Sequence, residues 1–347
     1  TFDAGGAPET HGETDVCFSL TIPKGVTMPV DGWPVVVYLH GTGGSYRSFV
    51  GNGVAGQLSA VTLDDASTQN FAVLSFDAPQ HGARRGGSPE DPEILFFNFM
   101  NPGAAYGNVL QGAVDGWQAS RLLVSTDWDA ASSPIGTEVR FDPARMYYYG
   151  HSQGATHGAL TVAYDPSFAA AVMSGAGGSL IESLLNKTSP YNIAAALRMA
   201  LADPNIGALH PALTIFQMYL EVADPVNYGR NVVWLPFDGM IGRHVLMTYG
   251  LGDTFTPKDT MGAMAASFGV AIAEPVIEDI GGFETVSLPA SANRWVETGS
   301  VTSVLTQHNP PAGVDGHFVF TRDDVAKRRI EQFLGTAARD GVPTVVP

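Results

Sequence analysis

Short runs of apolar residues, each closed by a small or polar residue, recur along the chain. Val35-Val36-Val37-Tyr38-Leu39 follows Pro34 and ends in His40-Gly41. Phe71 to Phe76 ends in Asp77, and Met146 to Tyr149 ends at Gly150. Ala169 to Met173 ends at Ser174-Gly175, and Val245 to Tyr249 ends at Gly250. None of these runs alternates, so both faces are apolar, as in strands of a mostly parallel sheet covered on both sides. Asp15 to Pro23 alternates instead and reads as an antiparallel edge strand. Between the runs lie helical stretches. Tyr106 to Val124 sets Leu110, Val114 and Trp117 at helical spacing. Thr321-Arg322-Asp323-Asp324 reads as a capping box opening a last helix, which carries Ile330, Phe333 and Leu334 on one face and ends at Gly335. The pattern predicts an α/β fold with a doubly wound, mostly parallel sheet, whose chemistry sits at strand carboxyl ends.

One segment breaks the alternation. From about Gly178 to Pro236 the chain carries Leu184, Leu185, Leu197, Met199, Leu201, Leu213, Phe216, Met218, Tyr219 and Leu220 in helix-like arrangement. That is too long for one crossover helix and reads as a helical cap inserted late in the sheet. The chain then divides into a core of residues 1–177 and 237–347 and a cap of residues 178–236, with Phe216 and Tyr219 lining a substrate pocket. An excursion packed against the side of the sheet is the other reading.

Composition narrows the function. With 347 residues, 45% hydrophobic and 15% charged, there is ample material for a buried sheet. No window approaches the roughly 18 apolar residues of a membrane span. The net charge of −16 and the lack of a basic stripe argue against nucleic acid and anionic lipid, and favour an uncharged or cationic substrate. A single cysteine, Cys17, excludes an intramolecular disulfide and any multi-cysteine metal site. The chain opens at Thr1-Phe2-Asp3 without methionine or an apolar signal segment. It reads as processed and exported, secreted or periplasmic, with a cytoplasmic location as the alternative.

Gly150-His151-Ser152-Gln153-Gly154 is the one Gly-x-Ser-x-Gly in the chain, set between a buried run and the small-residue helix that begins Ala155-Thr156-His157. Strand, tight turn and helix are the context of a nucleophile elbow, in which the glycines leave room for neighbouring backbone and the helix offers free N–H groups. A glycine-rich turn without chemistry is the plain alternative. A serine hydroxyl needs a base and an orienting acid. Asp253 follows the run Val245 to Tyr249, although it could instead cap a helix near Pro257. His317 follows Gly316 just before the last helix, and His308, after the run Val301 to Leu305, is its rival as base.

The order Ser152, Asp253, His317, the elbow and the turn His40-Gly41-Thr42-Gly43-Gly44 together resemble the α/β-hydrolase family on its esterase and lipase side. The resemblance runs from about Val35 to the last helix, apart from the cap. It implies an oxyanion hole from the backbone N–H groups of Thr42 and Gln153, and two-step acyl transfer on uncharged, hydrophobic or lipid-like carboxylic esters, with no cofactor. It also implies that His40 props the oxyanion turn, that His151 fills space beside the nucleophile, and that Asp77 to Gly82 is a structural turn. A peptidase or amidase on the same fold is the second reading, and a non-catalytic ligand-binding member the third. A metal site built from Asp77, His81, His151 and His157 lacks any compact ligand spacing. Asn186-Lys187-Thr188 is a glycosylation sequon that chance explains.

Overall fold

A computed structural model describes residues 12–98, 100–131, 133 and 135–347; the opening Thr1-Phe2-Asp3 lies outside them. The apolar runs become the middle of a nine-stranded sheet. Its strands in chain order are β1 (Phe18–Thr21), β2 (Trp33–Leu39), β3 (Ala72–Phe76), β4 (Phe141–His151), β5 (Phe168–Ser174), β6 (His244–Gly250), β7 (Ala271–Ala273), β8 (Thr285–Val286) and β9 (Ser303–His308). Across the sheet they lie in the order β1-β3-β2-β4-β5-β6-β9-β7-β8. Every neighbouring pair is parallel except β1 and β3, where Leu20 stands opposite Leu74 in an antiparallel edge. Neighbours in the centre that are not consecutive in sequence require helices on both faces.

The period of two divides each central strand between two cores. Val35, Val37, Leu39, Met146 and Tyr148 face one side, while Val36, Tyr38, Tyr147 and Tyr149 face the other. The first side is covered by α1 (Pro102–Ser125) and α2 (Gln153–Tyr164). Asn101 opens α1 by accepting the Ala104 N–H at 3.2 Å. Between β5 and β6 come α3 (Leu180–Asn186), α4 (Ile193–Ala200), α5 (Pro211–Leu220) and α6 (Gly229–Val233). The first three gather a small core of their own around Ile181, Leu184, Leu197 and Leu213, whereas Val232 and Val233 of α6 join the main core. The sheet is completed by α7 (Lys258–Phe268) on the α1 side and α8 (Asp324–Asp340) on the other, the latter seating Ile330, Phe333 and Leu334.

The last helix departs from expectation at both ends. Its N-cap is Asp323, whose carboxylate accepts the Ala326 N–H at 2.9 Å, while Thr321 belongs to a separate short helix, Val319–Arg322. Gly335 does not end it: the helix continues to Asp340 and closes on Gly341 at φ 75°. A Cβ at 335 would stand 2.5 Å from Leu63, so this glycine serves close packing between helix and hairpin.

Several histidines are locked neutral in the interior. Burial pushes His40 and His157 down to about 3, and His244 and His308 down to about 4. An unfolded histidine takes up its proton near about 6.5. Between these values the unfolded chain binds more protons than the folded one, so stability rises with pH and is lost as pH falls. The urea midpoint should therefore drop steadily between pH 6.5 and 4, and His244→Asn should flatten that slope by up to one proton. A midpoint that is constant over this range would contradict the burial of these rings.

Candidate active site

The site begins with a backbone constraint. Ser152 joins β4 to α2 at φ 56° and ψ −120°, a conformation few non-glycine residues adopt. Its N–H is anchored on Ser174 O at 2.8 Å. Gly150 and Gly154 make the turn possible. A Cβ on Gly150 would lie 2.5 Å from Gly154 O, and one on Gly154 would overlap the carbonyl of Leu39. Gly41 has the same reason, since its Cβ would sit 2.9 Å from that of Ser152. The strand end of β2, the elbow and the start of α2 are thus pressed together at backbone contact.

His317 and Asp253 reach this point from two other strand ends. Asp253 follows β6 and His317 follows β9, and the imidazole Nδ1–H donates to Asp253 Oδ2 at 2.8 Å with both side chains buried. That leaves Nε2 as the ring nitrogen without a carboxylate partner. Asp253 also accepts from the N–H groups of Phe255 and Thr256 at 2.8 and 2.7 Å and from Thr256 Oγ1 at 2.7 Å. Burial alone would raise its carboxyl, but the His317 imidazole and these donors outweigh burial and hold it below the ordinary carboxylate value. It does not cap α7, whose N-cap is Pro257.

Asp315 ties the two loops together. Its Oδ1 accepts the N–H of His317 at 2.9 Å and that of Thr254 at 3.3 Å, and its Oδ2 accepts Thr254 Oγ1 at 2.6 Å. The His317 ring is packed by two others: Phe255 stacks on it at 4.7 Å between centroids, and His151 lies tilted at 4.7 Å from it. His151 in turn stacks on Phe320 at 3.9 Å, and burial drives it well below the ordinary histidine value.

Ser152 and His317 line one cavity of about 1050 Å³, together with Thr42, Phe255, Asp91 and Asn52. Among the described residues no hydrogen bond joins Ser152 to His317; such contacts commonly tighten only when substrate is bound. Gln153 is the first residue of α2, so its N–H has no acceptor within the helix. Thr42 Oγ1 donates to Gln153 Oε1 at 2.8 Å, the Gln153 amide reaches His157 Nε2 at 3.2 Å, and His157 Nδ1–H donates to Val109 O at 3.1 Å. The side chains of the two expected oxyanion donors are therefore bonded to each other.

Solved structures share this architecture. An acetyl xylan esterase from a Paenibacillus species superposes with a TM-score of 0.50 at 18% identity, over 78% of this chain and 72% of that one. The chain has the α/β-hydrolase fold. Acetyl xylan esterase 1 from a Thermoanaerobacterium species matches at 15% identity and TM-score 0.48, over 86% of this chain and 75% of that one. An acylaminoacyl peptidase from Pyrococcus horikoshii matches at 11% and 0.48, covering 93% of this chain but 39% of its own. No protein-family model and no curated protein matches the sequence.

Other sequence candidates fall elsewhere on the hydrolase fold. His308 does not line the cavity: its Nδ1 is 2.8 Å from Asp323 and its Nε2 2.9 Å from Thr306, so both ring nitrogens are engaged. Phe216 and Tyr219 do not line it either. Helix α5 turns Leu213 and Leu220 inward, which leaves Phe216 against the small core of α3 to α5 and Tyr219 56% exposed. The segment contributes Lys187 and Pro190 instead. Lys187 forms an ion pair with Glu93, and both residues line the main cavity and an apolar pocket of about 40 Å³ bordered by Leu180, Leu184 and Leu220. Asp77, His81, His151 and His157 do not converge, and among the described residues no group of three such side chains could hold a metal. Nor is any described helix long and apolar enough to cross a membrane.

Sequence reasoning missed Thr256, Asp315 and Lys187. Only Asp315 left a signal, as an aspartate two residues before a histidine at a helix start.

The glycine argument can be tested on stability. Gly154→Ala places a methyl group against the Leu39 carbonyl and should cost at least about 3 kcal/mol in urea unfolding, at the upper end of overpacking penalties. Gly107, inside α1 with nothing within 4 Å of its Cβ position, should gain about 0.5–1 kcal/mol when changed to Ala. Similar effects at both sites would show that the elbow is not held by backbone contact.

Proposed function

We propose that the chain is a serine hydrolase that cleaves carboxylic esters through an acyl-enzyme. Ser152 attacks the ester carbonyl while His317 Nε2 takes its proton, and Asp253 keeps the imidazole in the required tautomer and stabilises it when charged. The N–H groups of Thr42 and Gln153 receive the developing oxyanion, an arrangement in which one donor is typically worth about 3 kcal/mol of barrier. His317 then returns its proton to the departing alkoxide. Water, deprotonated by the same imidazole, attacks the acyl-enzyme and releases the acid. The observation that carries this reading is the strained Ser152 turn opening into the same cavity as a buried His317–Asp253 pair.

The name of the Paenibacillus enzyme suggests a first substrate class, short acyl esters of polyhydroxylated alcohols. A large cavity carrying Asn52, Asp91, Glu93 and Lys187 favours a polar alcohol part over a lipid. The assay compares p-nitrophenyl acetate, an acetylated sugar and the matching amide. Ser152→Ala should lose on the order of 10⁶ in kcat with the fold unchanged. His317→Ala should be as damaging, whereas His308→Ala should keep turnover. Retention of more than about a hundredth of kcat in Ser152→Ala would remove Ser152 as nucleophile, and equal loss at His308 would move the base to that residue.

The segment around 178–236 is proposed as a cap that shapes the alcohol side of the site. Its support is the loop after α3, where Lys187 pairs with Glu93 and the N–H groups of Thr188 and Ser189 both donate to Thr254 O at 3.1 Å. Changing Glu93→Gln and Lys187→Met together removes the pair without stranding one charge. The ratio of kcat/KM for bulky over small alcohol groups should then shift severalfold. An unchanged ratio would take the cap out of substrate selection.

A further inference from the structure

The turn that follows β3 contains a buried group which the acyl-transfer scheme does not use. His81 is fully buried, and its two nitrogens have opposite partners: Nδ1–H donates to Pro79 O at 2.8 Å, and Nε2 accepts the N–H of Gly43 at 2.9 Å. Gly43 stands at φ 80°, next to Thr42 in the oxyanion turn. The neighbouring backbone is strained toward the same end. Gln80 sits at φ 63°, unusual for a residue with a side chain, and a Cβ on Gly82 would overlap the Asp77 carboxylate.

Two more contacts join the same segments. His40 Nε2 accepts the Ala78 N–H at 3.2 Å, and Asp77 Oδ1 accepts the Tyr46 N–H at 2.8 Å. These brace the two ends of the oxyanion turn, at residues 40 and 46. His81 grips the backbone of its middle, where its bond consumes the Gly43 N–H, beside the Thr42 hydroxyl that donates to Gln153. That amide belongs to the Thr42–Gly43 peptide, so the bond fixes the chain on the C-terminal side of Thr42, while the peptide carrying the Thr42 N–H is held through Gly41 O, which accepts from His40 Nδ1–H at 2.8 Å and from the Gly44 N–H at 3.0 Å.

We propose that His81 is a positioning residue of the oxyanion hole, acting through Gly43 to aim the Thr42 N–H at the reacting carbonyl oxygen. The inference rests on the acyl-transfer reading above. Its chemical requirement is an acceptor at the Nε2 position, not a base and not a charge.

The test compares His81→Phe, which fills the space without an acceptor, with His81→Gln, whose Oε1 can replace Nε2. Both lose the donor to Pro79 O, so only the acceptor distinguishes them. His81→Phe should lower kcat roughly 10- to 100-fold with KM little changed, somewhat less than removal of a whole oxyanion donor. Affinity for a trifluoromethyl ketone, whose serine adduct places an oxyanion in the hole, should fall by the same factor. His81→Gln should recover most of both. Turnover and ketone affinity within twofold of wild type in a folded His81→Phe would overturn the assignment, as would equal impairment in His81→Gln. Should His81→Phe fail to fold, the wild-type protein supplies the second measurement. A through-hydrogen-bond ¹⁵N–¹⁵N coupling should link Gly43 N to His81 Nε2, and its absence would overturn the proposal. Ser152→Ala run in parallel separates the two ideas: full activity there would remove acyl transfer itself, whereas a dead Ser152→Ala beside a normal His81→Phe would remove only the role of His81.

Discussion

The contact between Gly154 and the Leu39 carbonyl sets the terms for the rest of the site. A helix can start immediately after a parallel strand only if the chain reverses in one or two residues, and that reversal drives α2 into the end of the neighbouring strand β2. Without a Cβ at 154 the helix axis comes close enough for its first free N–H groups to face the strand end. The same closeness puts Gly41 against Ser152 and leaves no room for a side chain at position 41. A serine at φ 56° follows as a consequence of this packing and not as an independent feature.

Asp253 and His317 are brought in by a similar close approach on the other side. A Cβ on either Gly250 or Gly316 would collide with the backbone of the other's segment, so the end of β6 and the loop after β9 meet at contact distance beside Asp253 and His317. Asp315 then fastens one loop to the other through two hydrogen bonds from Thr254, and accepts the His317 N–H within its own loop. Burial of a carboxylate is costly unless donors surround it, and Asp253 has four besides bulk water: the imidazole, two backbone N–H groups and the Thr256 hydroxyl. Phe255 stacks on the His317 ring and His151 packs against it at a tilt, which restricts the imidazole.

Periodicity reports burial, and burial was enough to find the strands. The doubly apolar runs at Val35 to Leu39 and Val245 to Tyr249 could only be covered on both faces, so sheet type and the location of its carboxyl edge were legible. The nucleophile turn was legible because its glycines are a steric necessity. Position along the chain brought Asp253 and His317 into view and favoured His317 over His308 for its place nearer the last helix, but it gave no partner for either ring; those partners are Asp253 in one case and Asp323 in the other. Where glycine has two uses, sequence misleads: Gly335 looks like a helix stop but permits contact with Leu63. Phe216 and Tyr219 failed for a related reason, because a helix with apolar residues on several faces does not say which face meets the substrate and which meets its own neighbours. Thr256, Asp315 and Lys187 act through tertiary hydrogen bonds and ion pairs, which leave no periodic trace.

Backbone strain in this fold is not spread evenly. Of the described non-glycine residues at positive φ, Gln80 follows β3, Ser152 follows β4 and Ser179 follows β5, so three consecutive strands of the chain each leave the sheet through a strained turn at the carboxyl edge. Each such residue costs on the order of 1–3 kcal/mol and survives only where surrounding contacts over-determine it. Here those contacts are identifiable: Ser174 O and the flanking glycines for Ser152, the His81 and Asp77 bonds for Gln80, and Asp224, which accepts the Ser179 and Leu180 N–H groups at 3.0 and 2.8 Å, for Ser179. Two fully packed faces behind the edge supply the rigidity that holds the turns in place. The arrangement fixes the backbone turns that carry the polar groups of the site. Relaxing one turn would release local strain, but it would also break hydrogen bonds that its neighbours share. The edge therefore behaves as one unit, with the cost of order met by the sheet before substrate arrives.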